Sequence, residues 1–282
     1  MQLGIMLFPA DHALAPDVAA RAAEERGFGA IAFPEHTHIP VSRRTPFPGG
    51  TPLPDYYART HDPFIALTAA AMVTERLELW TGISLVAQRD PIVTAKVVAS
   101  LDVLSKGRFV FGIGYGWNVE ELEDHGVAYA ERRAVVRERI LAMQALWTLD
   151  EASFDGEHVR FDPTWSWPKP VQRPWPKIVL GSAPGPKSFA HIAEFCDGWV
   201  PITGLRGLAE QLPALRDALE KRGRDLSEIE ISLYGGRPDV TWLEQARAAG
   251  VHRVFMPIPP DDPDAGMRAL DAYAPLVGQL SG

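Results

Sequence analysis

Eight short apolar runs recur along the chain, and each is followed by a stretch with the spacing of an amphipathic helix. The runs are continuous rather than alternating, which is typical of strands buried on both faces of a parallel sheet. Eight strand–helix units are the number that closes a parallel barrel. We therefore predict a (β/α)8 TIM barrel, with an open doubly wound sheet as the structural alternative. The predicted strands are Leu3–Phe8, Ala30–Phe33, Leu77–Ile83, Phe109–Ile113, Ile178–Leu180, Gly198–Ile202, Ile229–Tyr234 and Val254–Ile258.

Helix start signals support this alternation. Asp62-Pro63 and Asp90-Pro91 each place an N-capping acid before a proline at the first helical position. Three connecting segments are too long for simple turns, namely His36–His61, Tyr115–Ala130 and Leu149–Lys177. The first two follow strands, so we expect them at the carboxyl end of the barrel, where barrel active sites are built. The third follows a helix, so we expect it at the opposite end or along the outside.

Composition excludes several classes of function. The 282 residues read as one domain, 1–282, with 28 basic and 36 acidic side chains and a net charge of −8. An acidic surface repels phosphate backbones, so nucleic acid is not an expected partner. No apolar run is long enough to span a membrane, and Met1–Met6 reads as a strand rather than a signal peptide. With one cysteine, Cys196, no internal disulfide forms, and we expect a cytoplasmic protein.

The segment Pro34-Glu35-His36-Thr37-His38 directly follows the second predicted strand. Titratable groups there lie over the barrel mouth, where a histidine can exchange protons near neutral pH. The alternative is that these side chains only hydrogen-bond within the loop. A His-x-His pair also occurs in metal-dependent barrels, but the strands that would carry the remaining ligands end in glycine, serine and proline. No metal is therefore expected.

Glycine-rich turns follow three other strands. Gly112-Ile113-Gly114-Tyr115-Gly116-Trp117 and Gly181–Pro186 would let backbone N–H groups approach an anion, and tight turns at a crowded rim are the alternative. Gly82, at the end of the third strand, suggests a bulge or a close backbone approach. Glu131–Arg139 is rich in charges and is interpreted as a solvated helix face.

Taken in order, these features resemble the luciferase-like monooxygenase superfamily, and within it the branch that uses the deazaflavin coenzyme F-420. The resemblance runs from Met1 to about Pro201. It is carried by Pro34-Glu35-His36-Thr37-His38-Ile39-Pro40, Ala87-Gln88-Arg89-Asp90-Pro91, Leu101–Arg108, Gly114-Tyr115-Gly116-Trp117-Asn118, Trp165–Pro170 and Asp197-Gly198-Trp199.

The resemblance implies catalytic roles for three residues. His36 matches an active-site histidine that donates a proton or orients the reactants. Glu35 stands where relatives often have an aspartate that touches the edge of the deazaflavin ring. Glu120 matches a position that often reaches the cofactor or the substrate.

The resemblance also implies the cofactor contacts. Gly82-Ile83 matches a cis peptide, preceding a residue other than proline, that presses on one face of the ring. Two loops match those that contact the phosphate-bearing chain of the cofactor. Their residues are Gly114, Tyr115, Gly116 and Trp117 in the first loop and Ala183, Pro184, Gly185 and Pro186 in the second.

The function that the resemblance implies is hydride transfer between coenzyme F-420 and a small organic substrate. Two alternatives remain open at this point: an FMN-dependent monooxygenase and a non-catalytic flavin-binding protein. The resemblance further implies a homodimer, in which the helices after the second and third strands form the interface.

Overall fold

The computed structural model describes residues 1–50 and 52–280, and its central feature is a closed eight-stranded barrel of parallel strands. Around the barrel the order is β1-β10-β9-β8-β7-β4-β3-β2. The predicted (β/α)8 fold is confirmed. The barrel strands are β1 (Gln2–Met6), β2 (Ala30–Phe33), β3 (Glu78–Thr81), β4 (Phe109–Gly114), β7 (Ile178–Ser182), β8 (Gly198–Pro201), β9 (Glu230–Tyr234) and β10 (Arg253–Pro257).

Helices surround the barrel, and the predicted N-caps are present. The Asp62 carboxylate accepts hydrogen bonds from the amides of Phe64 and Ile65, and Asp90 accepts one from the amide of Val93. The short helix α4 inside the second long connection was not predicted. The helices are α1 (Pro16–Glu25), α2 (Pro63–Val73), α3 (Pro91–Leu104), α4 (Val119–Asp124), α5 (Arg132–Thr148), α6 (Pro186–Phe195), α7 (Leu208–Glu220), α8 (Val240–Ala248) and α9 (Pro263–Leu280).

The third long connection contains an antiparallel hairpin, β5 (Ala152–Asp155) and β6 (Arg160–Thr164), that the sequence analysis missed. Glu138 of α5 fixes its turn by accepting hydrogen bonds from three consecutive backbone amides, those of residues 157–159. This carboxylate lies in the charged segment that we interpreted as a solvated face. The hairpin is therefore attached to α5 as a separate two-stranded sheet outside the barrel.

Side chains fill the barrel interior and form a floor beneath its carboxyl end. Trp80 and Phe255 meet edge to face with ring centroids 5.1 Å apart, and Tyr234 lies 5.1 Å from Phe255. Alanine and valine residues of four other strands complete this inner layer, together with Met6 of β1. A filled interior leaves the upper rim as the place where the barrel can admit a ligand.

Among the helices that the structure describes, none is both long enough and apolar enough to cross a lipid bilayer.

Candidate active site

A cavity of about 540 Å³ opens at the carboxyl ends of the barrel strands. Seven of the eight barrel strands contribute to it, from their last residues or from the turns that follow them. A pocket in this position is the default ligand site of a parallel barrel. Its lining is Met6, Phe8, Pro34, Glu35, His36, Tyr57, Gly82, Ile83, Leu85, Gly114, Tyr115, Gly116, Trp117, Tyr129, Arg132, Arg133, Gly181, Ser182, Ala183, Val200, Pro201, Ile202 and Tyr234.

A buried histidine–carboxylate pair lies at the wall of this cavity. The Nδ1 atom of His36 is 3.0 Å and 3.1 Å from the two carboxylate oxygens of Glu121. His36 is 9% exposed and Glu121 is fully buried. The Thr60 hydroxyl donates to the carbonyl of His36, so the backbone of this residue is held as well. The sequence analysis identified His36 but not its partner, which lies 85 residues away in the chain.

Glu35 is buried beside His36, and protein groups occupy both of its carboxylate oxygens. One oxygen accepts from the Ser84 hydroxyl and the Leu85 amide, each at 2.7 Å. The other accepts from the Arg89 guanidinium at 2.5 Å. Arg89 also pairs with Asp62, the N-cap of α2. Glu35 therefore fixes the segment that follows β3, in addition to lining the cavity.

The wall beside that segment is formed by the Gly82–Ile83 peptide bond, which is cis as the resemblance implied. The side chain of Ile83 packs over two glycines of neighbouring strands. A Cβ at Gly114 would lie 2.3 Å from Ile83 Cδ1, and one at Gly181 would lie 2.9 Å from Ile83 Cγ2. Both positions therefore need glycine so that Ile83 can occupy this wall.

Two arginines from the start of α5 give the cavity a cationic region. Arg132 lies 3.5 Å from the ring centre of Tyr129, and Arg133 lies 4.8 Å from that of Tyr115. Burial lowers the pKa of Arg132, and its Nε atom has no hydrogen-bond partner. Neither arginine pairs with an acid in the part of the chain that the structure describes. The sequence analysis wrongly placed both on a solvated face.

Tyr115 forms a second polar pair at the cavity. Its hydroxyl lies 2.8 Å from Nδ1 of His191 on α6. Burial raises the pKa of Tyr115 and lowers that of His191 to about 4, so near neutral pH the phenol donates and the imidazole accepts. From sequence, His191 had no recognisable partner.

Aromatic rings surround the other side of His36. The centroid of its ring lies 5.1 Å from that of Tyr57 and 6.1 Å from that of Trp117. Phe47 contacts both of those rings, at 5.2 Å and 5.9 Å. Burial raises the pKa of Tyr57 to about 12. The long β2–α2 connection thus covers this part of the cavity with apolar surface, as its position after a strand predicted.

Glu120 does not line the cavity. Its carboxylate accepts from the backbone and the hydroxyl of Thr45 and, at 3.3 Å, from the hydroxyl of Ser42. The hydrogen bond from the Thr45 hydroxyl lowers the pKa of Glu120 to about 2. The next residue, Glu121, is the acid that reaches His36. Glu121 rather than its neighbour Glu120 faces His36, because the direction of a side chain on α4 depends on where that helix begins.

The predicted cofactor residues divide into two groups. Those at the strand ends and in the first loop line the cavity, together with Ala183. Pro184 is not part of the lining, and Gly185 and Pro186 border a separate groove between α6 and α7. Residues that sequence reasoning missed include Glu121, Tyr129, Arg132, Arg133 and Tyr234.

Within residues 1–50 and 52–280, no group of three or more His, Cys, Asp or Glu side chains is arranged to hold a metal ion.

Comparison with protein families gives one match, to the luciferase-like monooxygenase family over residues 17–254. An uncharacterized protein of Mycobacterium tuberculosis is 46% identical over 228 residues, which is 80% of each chain. A protein of Gordonia bronchialis named F-420-dependent glucose-6-phosphate dehydrogenase is 29% identical over 75% of this chain and 60% of its own length.

Three solved structures share the fold at low sequence identity. A monooxygenase from Streptomyces bottropensis superposes with a TM-score of 0.79 at 21% identity over all of both chains. The coenzyme F-420-dependent tetrahydromethanopterin reductase of Methanopyrus kandleri gives 0.77 at 18% over 99% of this chain and 98% of its own. A type II Baeyer–Villiger monooxygenase of Pseudomonas putida, solved with FMN, gives 0.63 at 18% over 82% of this chain and 66% of its own.

Proposed function

Because the chain belongs to the luciferase-like monooxygenase family, we propose that it is an oxidoreductase that transfers hydride between coenzyme F-420 and a small organic substrate. The observation that carries this proposal is the make-up of the cavity. It combines a buried His36–Glu121 pair, a wall formed by Ile83, and two arginines without acidic partners. When bound, a deazaflavin supplies the hydride chemistry, and the protein supplies binding, orientation and electrostatics.

The arginines and the glycine-rich turn fit the phosphate-bearing chain of such a cofactor. Arg132 has a buried Nε that lacks an acceptor, in a protein whose net charge is −8. Arg132 donates from Nη1 to the Tyr129 carbonyl but has no acidic partner among the described residues. A half-buried cation without a counter-charge is costly, and an anionic ligand group would supply one. The turn at Gly114–Trp117 brings backbone and Tyr115 to the same cavity.

Ile83 and His36 fit the ring of the cofactor and the reacting substrate. Ile83 presents an apolar surface that a flat ring can rest on. His36 lies at the wall with its Nδ1 already bonded to Glu121, so the other ring nitrogen remains for proton transfer. The rings of Tyr57 and Trp117 exclude water beside it. These features favour catalysis over cofactor storage.

Removal of the cationic region tests the cofactor part of the proposal. We expect Arg132→Ala combined with Arg133→Ala to weaken F-420 binding by about 10- to 100-fold, since a charge-assisted hydrogen bond contributes about 1.5–3 kcal/mol. Arg247→Ala is the control, because Arg247 is exposed on α8, away from the cavity lining. Unchanged F-420 affinity in the double variant would reject the assignment of the cationic region.

Removal of the imidazole tests the catalytic part. A panel of small alcohols and carbonyl compounds would be screened with F-420, following the absorbance of the oxidised cofactor. For any substrate found, we expect His36→Ala to keep F-420 bound and to slow turnover by about 100-fold or more. His38→Ala is the matched control, since His38 lies in the same loop but pairs with Asp124 outside the cavity. Binding without turnover across the panel would favour the storage function.

The FMN-dependent monooxygenase remains the second candidate, because two of the structures with this fold are monooxygenases and one was solved with FMN. Oxygen consumption that depends on added FMN would distinguish this function from hydride transfer with F-420.

A further inference from the structure

We propose that Glu121 is a positioning residue that holds His36 in the tautomer with the proton on Nδ1, so that Nε2 is the atom that exchanges protons in the cavity. The part of this inference that concerns proton exchange rests on the proposed function. The part that concerns the tautomer does not.

The geometry requires a donor at Nδ1. Both oxygens of the Glu121 carboxylate lie within 3.1 Å of that single nitrogen. A carboxylate in its ionised form only accepts hydrogen bonds, so a single Nδ1–H shared between both oxygens matches this geometry. The bond made by one ring nitrogen of a histidine sets the state of the other.

Burial makes the partnership obligatory. Glu121 is fully buried, and its carboxylate has no arginine or lysine partner among the described residues. A buried carboxylate that lacks a hydrogen-bond donor is strongly destabilising. The Nδ1 atom of His36 supplies a donor to both of its oxygens, whereas the other acids of α4 bind elsewhere on the β2–α2 connection. Glu120 binds Thr45, Glu123 binds Arg44, and Asp124 binds His38.

The backbone of α4 places the Glu121 carboxylate. Asn118 caps the helix, and its side-chain oxygen accepts from the Glu121 amide at 3.3 Å. The helix begins directly after the Gly114–Trp117 turn, so the same chain segment that lines the cavity also sets the position of the carboxylate.

The opposite edge of the His36 ring carries Nε2. This atom has no hydrogen-bond partner among the described residues, and it is not buried away from solvent. In the neutral ring this nitrogen holds the free electron pair and accepts a proton from a substrate hydroxyl. After it takes the proton, Nε2–H is the donor for the reverse direction, and the carboxylate stays paired with the imidazolium.

The test is nitrogen-15 NMR of the histidine ring in the protein as it stands, without cofactor, with His36 assigned by comparison with His36→Gln. We expect the neutral His36 ring of the wild type to show Nδ1 protonated and Nε2 unprotonated. Glu121→Leu keeps the volume and removes the acceptor, so we expect His36 to shift to the Nε2–H tautomer that free imidazole side chains prefer. Glu123→Gln, an exposed acid on the same helix, is expected to leave the spectrum unchanged.

An Nε2–H tautomer in the wild type overturns the inference, and so does an unchanged tautomer in Glu121→Leu. If Glu121→Leu does not fold, the wild-type spectrum alone decides. Because no cofactor takes part, failure of the proposed function shows instead as absence of F-420 binding in a protein whose His36 has the expected tautomer.

Discussion

At the scale of single residues, the Tyr115–His191 pair links the cavity to the pH dependence of stability. The pKa of His191 falls from 6.5 to about 4, chiefly because burial disfavours the imidazolium. Between these pH values the unfolded chain binds a proton that the folded protein does not. The free energy of unfolding therefore decreases as pH falls from 6.5 towards 4.

We expect His191→Gln to remove this component, because glutamine still accepts from Tyr115 but does not titrate. Between pH 6.5 and 4, wild type should lose on the order of 1–2 kcal/mol more unfolding free energy than the variant, allowing for partial solvent exposure. Urea unfolding at a series of pH values measures this. His61→Gln, an exposed position, serves as control. Parallel pH curves for wild type and His191→Gln would contradict the expected role.

Sequence reasoning succeeded at this scale where a residue type at a strand end carries the signal, as for His36 and Gly82. It failed where the decisive partner is distant in the chain. Glu121 lay in a segment treated only as a long connection, and Arg132 lay in a segment interpreted as a solvated helix face, since the surroundings of both come from other segments. Only the folded barrel brings α4 and the start of α5 to the cavity.

At the scale of elements, the segment that follows His36 is anchored to α4 by the acids of that helix. Among the acids of α4 that bind this segment, Glu120 is the most deeply buried. Its carboxylate accepts hydrogen bonds from both the amide and the hydroxyl of Thr45. Its pKa is lowered to about 2 from 4.5. This anchor therefore contributes stability above pH 4.5, and the contribution is lost as pH falls from about 4.5 to 2.

We expect Glu120→Ala to release this segment without unfolding the barrel. Arg43 and Arg44 lie within it, so trypsin cleavage after either residue should become several-fold faster in the variant at neutral pH. Glu244→Ala on α8 is the control, since Glu244 is exposed and remote from the loop. Equal cleavage rates in Glu120→Ala and wild type would show that this contact does not hold the loop.

Elements with a strong periodic or capping signal were predicted well, and the exceptions have physical causes. The third strand was predicted to reach Ile83 but ends at Thr81, because its pairing with β4 shifts by one residue beyond that point: Trp80 lies opposite Val110, whereas Ser84 lies opposite Ile113. The β5–β6 hairpin has strands of four and five residues, so the apolar–polar alternation of Ala152–Asp155 is too short to be distinctive, and its turn is held by Glu138 from another element.

At the scale of the whole molecule, helices α2 and α3 carry an exposed apolar face that we propose as the interface of a homodimer. Ile65 and Met72 on α2 are 70% and 67% exposed, and Val93 and Leu104 on α3 are 61% and 51% exposed. Clustered apolar exposure of this kind marks an association surface.

We expect Ile65→Lys with Met72→Lys to shift the protein from dimer to monomer in sedimentation velocity, because two charges would be buried at the interface. Val41→Lys is the control, since Val41 is almost fully exposed in a loop. A wild-type protein that sediments as a monomer would contradict the proposed dimer.

The measurement that tests the central claim most directly is titration of the purified wild-type protein with coenzyme F-420 and, separately, with FMN, following the fluorescence of each. Our account predicts saturable F-420 binding that the Arg132→Ala, Arg133→Ala double variant weakens, with FMN binding much more weakly. Saturable binding of FMN alone would move the function to flavin-dependent monooxygenation. Binding of neither cofactor would contradict the proposed function.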